Sequence, residues 1–249
     1  MKKIGIVGGV AWQSTVDYYS GLCRRSEQWH TVRILPGTSV MPEIAIESLD
    51  HAKVLSHLGH DGDEDSWSEF DAYHRQALER LEASGADFAL IASNTPHHRF
   101  ESIVRGIRIP VISIVDAAAR QCAKICARKL ILLGTATTMA SAKFREGFAR
   151  HGVDARGPDD ENLRQASVAL LTDLQRGKTV GATERMKRLA KDATAQFPGL
   201  PAICLACTEL PLAFPERSDL ATFEEDGVLY INANVIHINA AFAYAIAEP

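Results

Sequence analysis

The chain has 249 residues, 46% hydrophobic and 23% charged, with 27 Lys and Arg against 31 Asp and Glu for a formal net charge of −4. This is enough chain for one large or two small domains with a buried core, and its apolar content excludes a disordered protein. The acidic balance argues against a dedicated nucleic-acid binder, which needs a basic excess to neutralise phosphates, and no apolar run approaches the ~20 residues of a membrane span.

In chain order, the first segment carries a few features of a signal peptide. Its apolar run is too short, however, and Trp12-Gln13-Ser14 offers no cleavage site, so it reads as a buried strand, Ile4–Val7, of a cytoplasmic protein. Gly5-x-x-Gly8-Gly9 lacks the spacing of a dinucleotide site and the Lys of a P-loop; it reads as a tight turn that lets a ligand approach backbone amides. A helix follows over Ser14–Arg25 with Ser14 as its N-cap, and Val32–Leu35 is a second strand. His60–Asp65 is a solvated loop. Its neighbourhood, with His51, His57 and Asp61, looks like a metal cluster, but the calcium-loop pattern fails at Ser66 and Ala72. Ser66 or Ser68 caps a helix to about Ser84 whose buried face is Phe70, Ala77, Leu78 and Leu81.

A turn at Gly85-Ala86-Asp87 feeds a fully buried strand, Phe88–Ala92, which ends at Ser93-Asn94-Thr95-Pro96. The next residues, His97 and His98, are either acid/base groups or exposed at a helix start. Pro110–Ile114 is a strand, Val115–Ala127 a helix, and Lys129–Leu133 a strand closing on Gly134-Thr135. Helices over Ser141–His151, Leu163–Gln175 and Thr183–Gln196 lead to a strand, Pro201–Ala206, ending at Cys207-Thr208-Glu209, and Val235–Ala247 is a last helix. Continuous apolar strands separated by helices mean a mainly parallel sheet covered on both faces, with ligands beyond the carboxyl ends of the strands.

Those strand ends repeat. A strand closing on a glycine turn is followed, much later, by a strand closing on a small residue, a nucleophile and a polar residue: once with Gly8 and Ser93, again with Gly134 and Cys207. Cys207 meets backbone amides and a helix start, which should lower its pKa toward thiolate; alternatively it is a small apolar residue closing a strand. Five cysteines in a chain this long form no disulfide framework. Cys204 and Cys207 are three apart on a strand run, so they point to opposite sides, and Cys122 and Cys126 match no common zinc spacing with them; no metal is expected.

Together these motifs resemble the cofactor-independent aspartate/glutamate racemase family. Gly8-Gly9-Val10-Ala11-Trp12-Gln13-Ser14-Thr15 with Tyr18-Tyr19 resembles its N-terminal signature. Ala92-Ser93-Asn94-Thr95-Pro96-His97 resembles its first catalytic motif, Gly134-Thr135-Ala136-Thr137-Thr138-Met139 its second glycine-threonine turn, and Cys207-Thr208-Glu209 its second catalytic motif. The fold this implies is α/β, in two similar lobes, each a mainly parallel four-stranded sheet flanked by helices, pseudo-twofold related with the active site between them. The lobes would be residues 1–114 plus 215–249, with a returning C-terminal helix, and residues 115–214. The resemblance also implies a homodimer, no cofactor, and a small amino acid or dicarboxylate as the molecule bound. One thiolate removes the α-proton and an opposite thiol returns one. Donors around the α-carboxylate strengthen as charge grows there; Asn94, Thr95 and Thr208 match that role, with the turn residues Val10, Trp12, Gln13, Thr135 and Thr138.

The sequence departs from the family's pattern at three places. Position 93 is Ser rather than Cys, and a hydroxyl is a far poorer base than a thiol. Cys207 is therefore expected to be the working base, with Ser93 a weakened counterpart. Gln165, beside Arg164, stands where relatives carry a Lys that grips the distal carboxylate. Leu229–Ala233 stands where relatives have an Asp-Thr pair, although His237 fits. Two other readings follow from the single thiol: a decarboxylase of a malonate-type acid, and a catalytically silent carboxylate-binding protein.

Overall fold

The computed structural model describes residues 1–31, 41–60, 62–197, 199 and 201–247. The chain divides into two compact units, Met1–Ser113 with His237–Pro249, and Ile114–Ile236.

The first unit contains β1 (Ile4–Gly8), α1 (Trp12–Thr31), β2 (Ile44–Ser48), α2 (His51–Ser56), α3 (Ser68–Ala83), β3 (Phe88–Ile91), α4 (Phe100–Ile103) and β4 (Val111–Ile112). Its four strands are all parallel, in the order β2-β1-β3-β4. Side chains alternate across a strand, and both faces here are apolar. Val7, Ala89 and Ile91 pack on Phe70, Ala77, Leu78 and Leu81 of α3. Ile4, Ile6, Phe88 and Leu90 pack the other way, on Tyr18 and Leu22 of α1 and on Ile238, Ala241 and Phe242. The expected face of α3 is thus the buried one. Val32–Leu35 lies outside the described residues, and β2 at Ile44–Ser48 is a strand the sequence reading passed over.

The second unit contains α5 (Ile114–Lys124), β5 (Lys129–Gly134), α6 (Ala136–Ala140), α7 (Ala142–Ala149), β6 (Asp154–Arg156), α8 (Glu161–Gln175), α9 (Ala182–Ala195), β7 (Ala202–Ala206), β8 (Thr222–Glu225) and β9 (Val228–Asn232), and α10 (Ala233–Ile246) begins in it. Its sheet order is β6-β5-β7-β9-β8, with β8 antiparallel to β9 and the rest parallel. Ile131, Leu133, Ile203 and Leu205 pack on Leu170, Leu171 and Leu174 of α8 and on Met186, Leu189 and Ala190 of α9.

Two expectations change here. The second sheet has five strands, not four, because an Asp226-Gly227 turn, with φ of 50° and 74°, folds β8 back on β9. That pair of positive φ angles is what a two-residue hairpin turn demands. The same pairing assigns much of 215–236 to the second unit, whereas the sequence division put it with the first lobe. From His237 onward α10 belongs to the first unit.

Read by rank in the chain, both units show one strand order: second, first, third, fourth, with the antiparallel β8 added in one. The repeat seen faintly in sequence is therefore a repeat of topology.

Candidate active site

A doubly wound sheet binds ligands beyond its carboxyl edge where the strand order reverses. In the first unit that point lies between β1 and β3, and in the second between β5 and β7. The residues leaving those four strands are Gly8-Gly9, Ala92-Ser93-Asn94, Gly134-Thr135 and Cys207-Thr208-Glu209. The four strand-end motifs thus fall at the switch points of their own sheets.

In the first unit the turn is built around backbone proximity. Gly9 has φ +82°, and a Cβ there would sit 2.1 Å from the Leu49 carbonyl oxygen. Its N–H donates to Thr15 Oγ1 at 2.9 Å. Ser14 is not the helix cap: α1 already begins at Trp12, and the buried Ser14 hydroxyl lies 2.8 Å from the Ala92 carbonyl and 2.7 Å from that of Ala11. It ties the two strand ends together. Ser93 and Asn94 are buried and Thr95 is half-buried. Val10 is half-buried, with His51 Nδ1 on its carbonyl oxygen, and Gln13 is also half-buried. Trp12 is 69% exposed.

His97 is buried and donates from Nδ1 to the Ser93 carbonyl at 2.9 Å, which fixes the tautomer. His237 donates from Nε2 to the Ile112 carbonyl at 2.8 Å and accepts the Tyr18 hydroxyl at Nδ1, also at 2.8 Å. Burial lowers the His237 pKa to about 4; burial, then the neighbouring His237, lowers that of His97 to about 3. Both rings are neutral at physiological pH and serve as fixed hydrogen-bonding struts. Neither His97 nor His98 is exposed at a helix start, since His98 is half-buried with its ring 5.2 Å from that of Trp67.

In the second unit, Thr135 caps α6, accepting the Thr138 N–H at 3.2 Å and lying 3.0 Å from its hydroxyl. A Cβ on Gly134 would come within 2.6 Å of the Ala206 carbonyl oxygen, so β5 and β7 leave the sheet in close contact. Cys207 is buried in the same cluster as Ile203 and Leu205, whereas Cys204 packs outside it, as the odd spacing requires. The Cys207 thiol donates to Glu209 Oε2 at 3.0 Å, and the Thr208 hydroxyl donates to the same oxygen at 2.9 Å.

This environment reverses the expectation for Cys207. The backbone amides of Thr208 and Glu209 do favour thiolate. They are outweighed, first by burial and then by the Glu209 charge and hydrogen bond, so the thiol is held well above its usual range. Glu209 is the side chain that sets this environment, and its position two residues after the cysteine is the signal in the sequence that could have found it.

Arg164 and Gln165 lie in the first turns of α8. Arg164 is half-buried and its guanidinium pairs with Glu161 at 2.8 Å; Gln165 is exposed and donates to the same carboxylate at 3.3 Å. Among the described residues no group of three or more His, Cys, Asp or Glu is placed to hold a metal ion. No helix among them is long and apolar enough to cross a membrane.

Two α/β units of one strand order, each presenting a glycine turn and a nucleophile at its switch point, define a duplicated, doubly wound class of protein. The family model described as Asp/Glu/hydantoin racemase matches residues 7–241, and the chain belongs to that family. Over 131 residues it is 25% identical to the broad specificity amino-acid racemase RacX of Bacillus subtilis (strain 168), a match covering 53% of this chain and 56% of that protein, so the aligned part spans little more than half of this curated relative. Among solved structures, a Yersinia pestis chain described as a candidate Asp/Glu racemase superposes with a TM-score of 0.81 at 25% identity, covering 99% of this chain and 100% of that one. An aspartate racemase homologue from Pyrococcus horikoshii OT3 gives 0.77 at 27% identity, covering 99% and 100%.

Proposed function

We propose that this chain is an amino-acid racemase, an isomerase that inverts an α-carbon without a cofactor. The observation that carries the reading is a buried thiol at the switch point of the second sheet, hydrogen-bonded to a carboxylate and flanked by backbone amides. In this reading Cys207 removes the α-proton from one side and Ser93 serves the other side. Asn94, Thr95 and Thr208, with the turns at Val10, Trp12, Gln13, Thr135 and Thr138, bind the α-carboxylate as its charge grows. Arg164 and Gln165 take the distal end of the substrate. For Arg164 to do so, its pair with Glu161 must open, which suits a small or neutral side chain as readily as an acidic one. A homodimer in the cytoplasm completes the reading.

The two ends of the reaction are unequal. A carboxylate is hydrogen-bonded to the Cys207 thiol, whereas a serine hydroxyl needs a base and among the described residues none is bonded to the Ser93 hydroxyl. Proton exchange is therefore faster from one enantiomer than from the other. The test is NMR in D₂O across the amino acids, each enantiomer separately. Deuterium entering the α-position of at least one amino acid, with loss of optical rotation, supports the reading. No α-deuterium in any of them sinks it, and CO₂ release from a malonate-type acid would put the decarboxylase in its place.

A further inference from the structure

The carbonyls of Ser93 and Cys207 occupy matching places, each just past the end of its strand, yet they are satisfied in different ways. The Cys207 carbonyl accepts the backbone N–H of Leu210, three residues on, at 3.3 Å. Three residues after Ser93 stands Pro96, which has no N–H to give. The His97 imidazole supplies the bond instead, donating from Nδ1 to the Ser93 carbonyl at 2.9 Å. The neighbouring backbone groups are held as well. The Ser93 N–H donates to the Ile91 carbonyl, and the Ser14 hydroxyl lies on that of Ala92. A backbone donor is placed by its own turn. A side-chain donor is placed by whatever packs on it.

What packs on His97 is a chain of rings. It stacks on Phe100 at 5.3 Å and meets the His237 ring edge to face at 5.7 Å. His237 is fixed in turn, because both of its nitrogens are engaged: Nδ1 by the buried Tyr18 hydroxyl and Nε2 by the Ile112 carbonyl, each at 2.8 Å. The Ser93 main chain is thereby tied to α1, β4 and α10. We propose that Tyr18, His237 and His97 form a positioning chain for Ser93, taking the place of the backbone bond that Pro96 removes; the idea rests on the racemase reading of the same site. The chain fixes the peptide group that follows Ser93, and with it the direction of the hydroxyl. A displacement of about 1 Å can cost about 100-fold in rate. Here that cost falls on the substrate face served by Ser93, since the turn at Cys207 carries its own backbone bond.

α-Proton exchange in D₂O, measured for each enantiomer separately, reads the two faces one at a time. Racemisation does not, because the enantiomers are equal in free energy and it slows equally in both directions. The readout is the ratio of the two exchange rates, which a loss of folded protein leaves unchanged. His97→Leu removes the donor; the slower enantiomer should lose about tenfold or more, and the ratio should widen accordingly. His97→Asn places an amide N–H close to where the Nδ1 proton stood and should bring the ratio back toward the parent's. Tyr18→Phe, the mildest change, removes one hydroxyl bonded to neither Ser93 nor His97 and should widen the ratio by less. A ratio that stays at the parent's value in the Leu or the Phe variant, or that Asn fails to restore, overturns the proposal and leaves the racemase reading standing. Exchange from one enantiomer only in the parent gives Ser93 no reaction to support and overturns it too. A parent that exchanges no α-proton ends the racemase reading instead; the carbon-13 resonance of the Ser93 carbonyl then decides alone, shifted in Tyr18→Phe if the chain reaches it and unshifted if it does not.

Discussion

At position 93 a single atom, oxygen in place of sulfur, separates the serine from a cysteine. Ser93→Cys leaves the strand end unchanged in shape and adds a second thiol. Deuterium wash-in from the slower enantiomer is expected to rise about tenfold or more, bringing the two directions closer together. An unchanged ratio would remove Ser93 from the reaction. Gly9 poses a different demand on its residue. Its positive φ and the 2.1 Å gap to a backbone oxygen mean that Gly9→Ala must shift the Leu49 backbone, which itself donates to Gly8 O. The expected loss is about 3 kcal/mol in urea unfolding; a variant as stable as the parent would show that the turn relaxes freely. The identity of these residues was legible from sequence because strand ends bear the motifs. Their electrostatics were not, since the rise in the Cys207 thiol comes from burial and from a carboxylate whose side chain turns back on it, and neither is written in a spacing.

Among the elements, the β8–β9 hairpin departs furthest from expectation. It packs Phe223 and Tyr230 in a parallel stack at 5.1 Å, with Phe214 edge-on to both. Tyr230 is 1% exposed, so Tyr230→Ala should cost about 3–5 kcal/mol and lower the thermal midpoint clearly. A shift within error would mean the hairpin contributes little to its unit. The long central strands and the helices α3, α8 and α9 could be read in advance because each carries an uninterrupted period. Short edge strands could not: β2 and β6 are half-polar, five and three residues long, and resemble loops. The hairpin did carry a signal, Asp226-Gly227 between two strand-like runs, but the family pattern drew attention instead to what was missing at Leu229–Ala233. Arg99 is a related case. Its buried pairing with Asp71 at 2.8 Å spans two elements, and no local pattern announces it.

At the scale of the whole molecule, three of the buried histidines, His74, His97 and His237, have lowered pKa values, and all are members of the first unit. Burial is the largest cause in each and lowers the pKa to about 4, about 3 and about 4. Because the folded values lie below the ordinary 6.5, the unfolded chain binds more protons as pH falls. Stability is thus fully present above about pH 6.5 and lost as pH drops toward 4. Three such groups give a slope approaching about 4 kcal/mol per pH unit near pH 5. Urea midpoints measured at pH 7, 6 and 5 should fall at an accelerating rate, and a flat series would contradict neutral burial of these rings.

One of those histidines arrives from far along the chain. Ile238, Ala241 and Phe242 complete the face of β1 and β3 opposite α3, and the Lys2 N–H donates to the Ala245 carbonyl at 2.8 Å. During synthesis the opening strands therefore emerge with one side covered by α1 alone. They must wait on the ribosome, through the whole of the intervening unit, for the segment that seals them. The half that is made first is finished last, and for that interval part of its apolar sheet stays open to water.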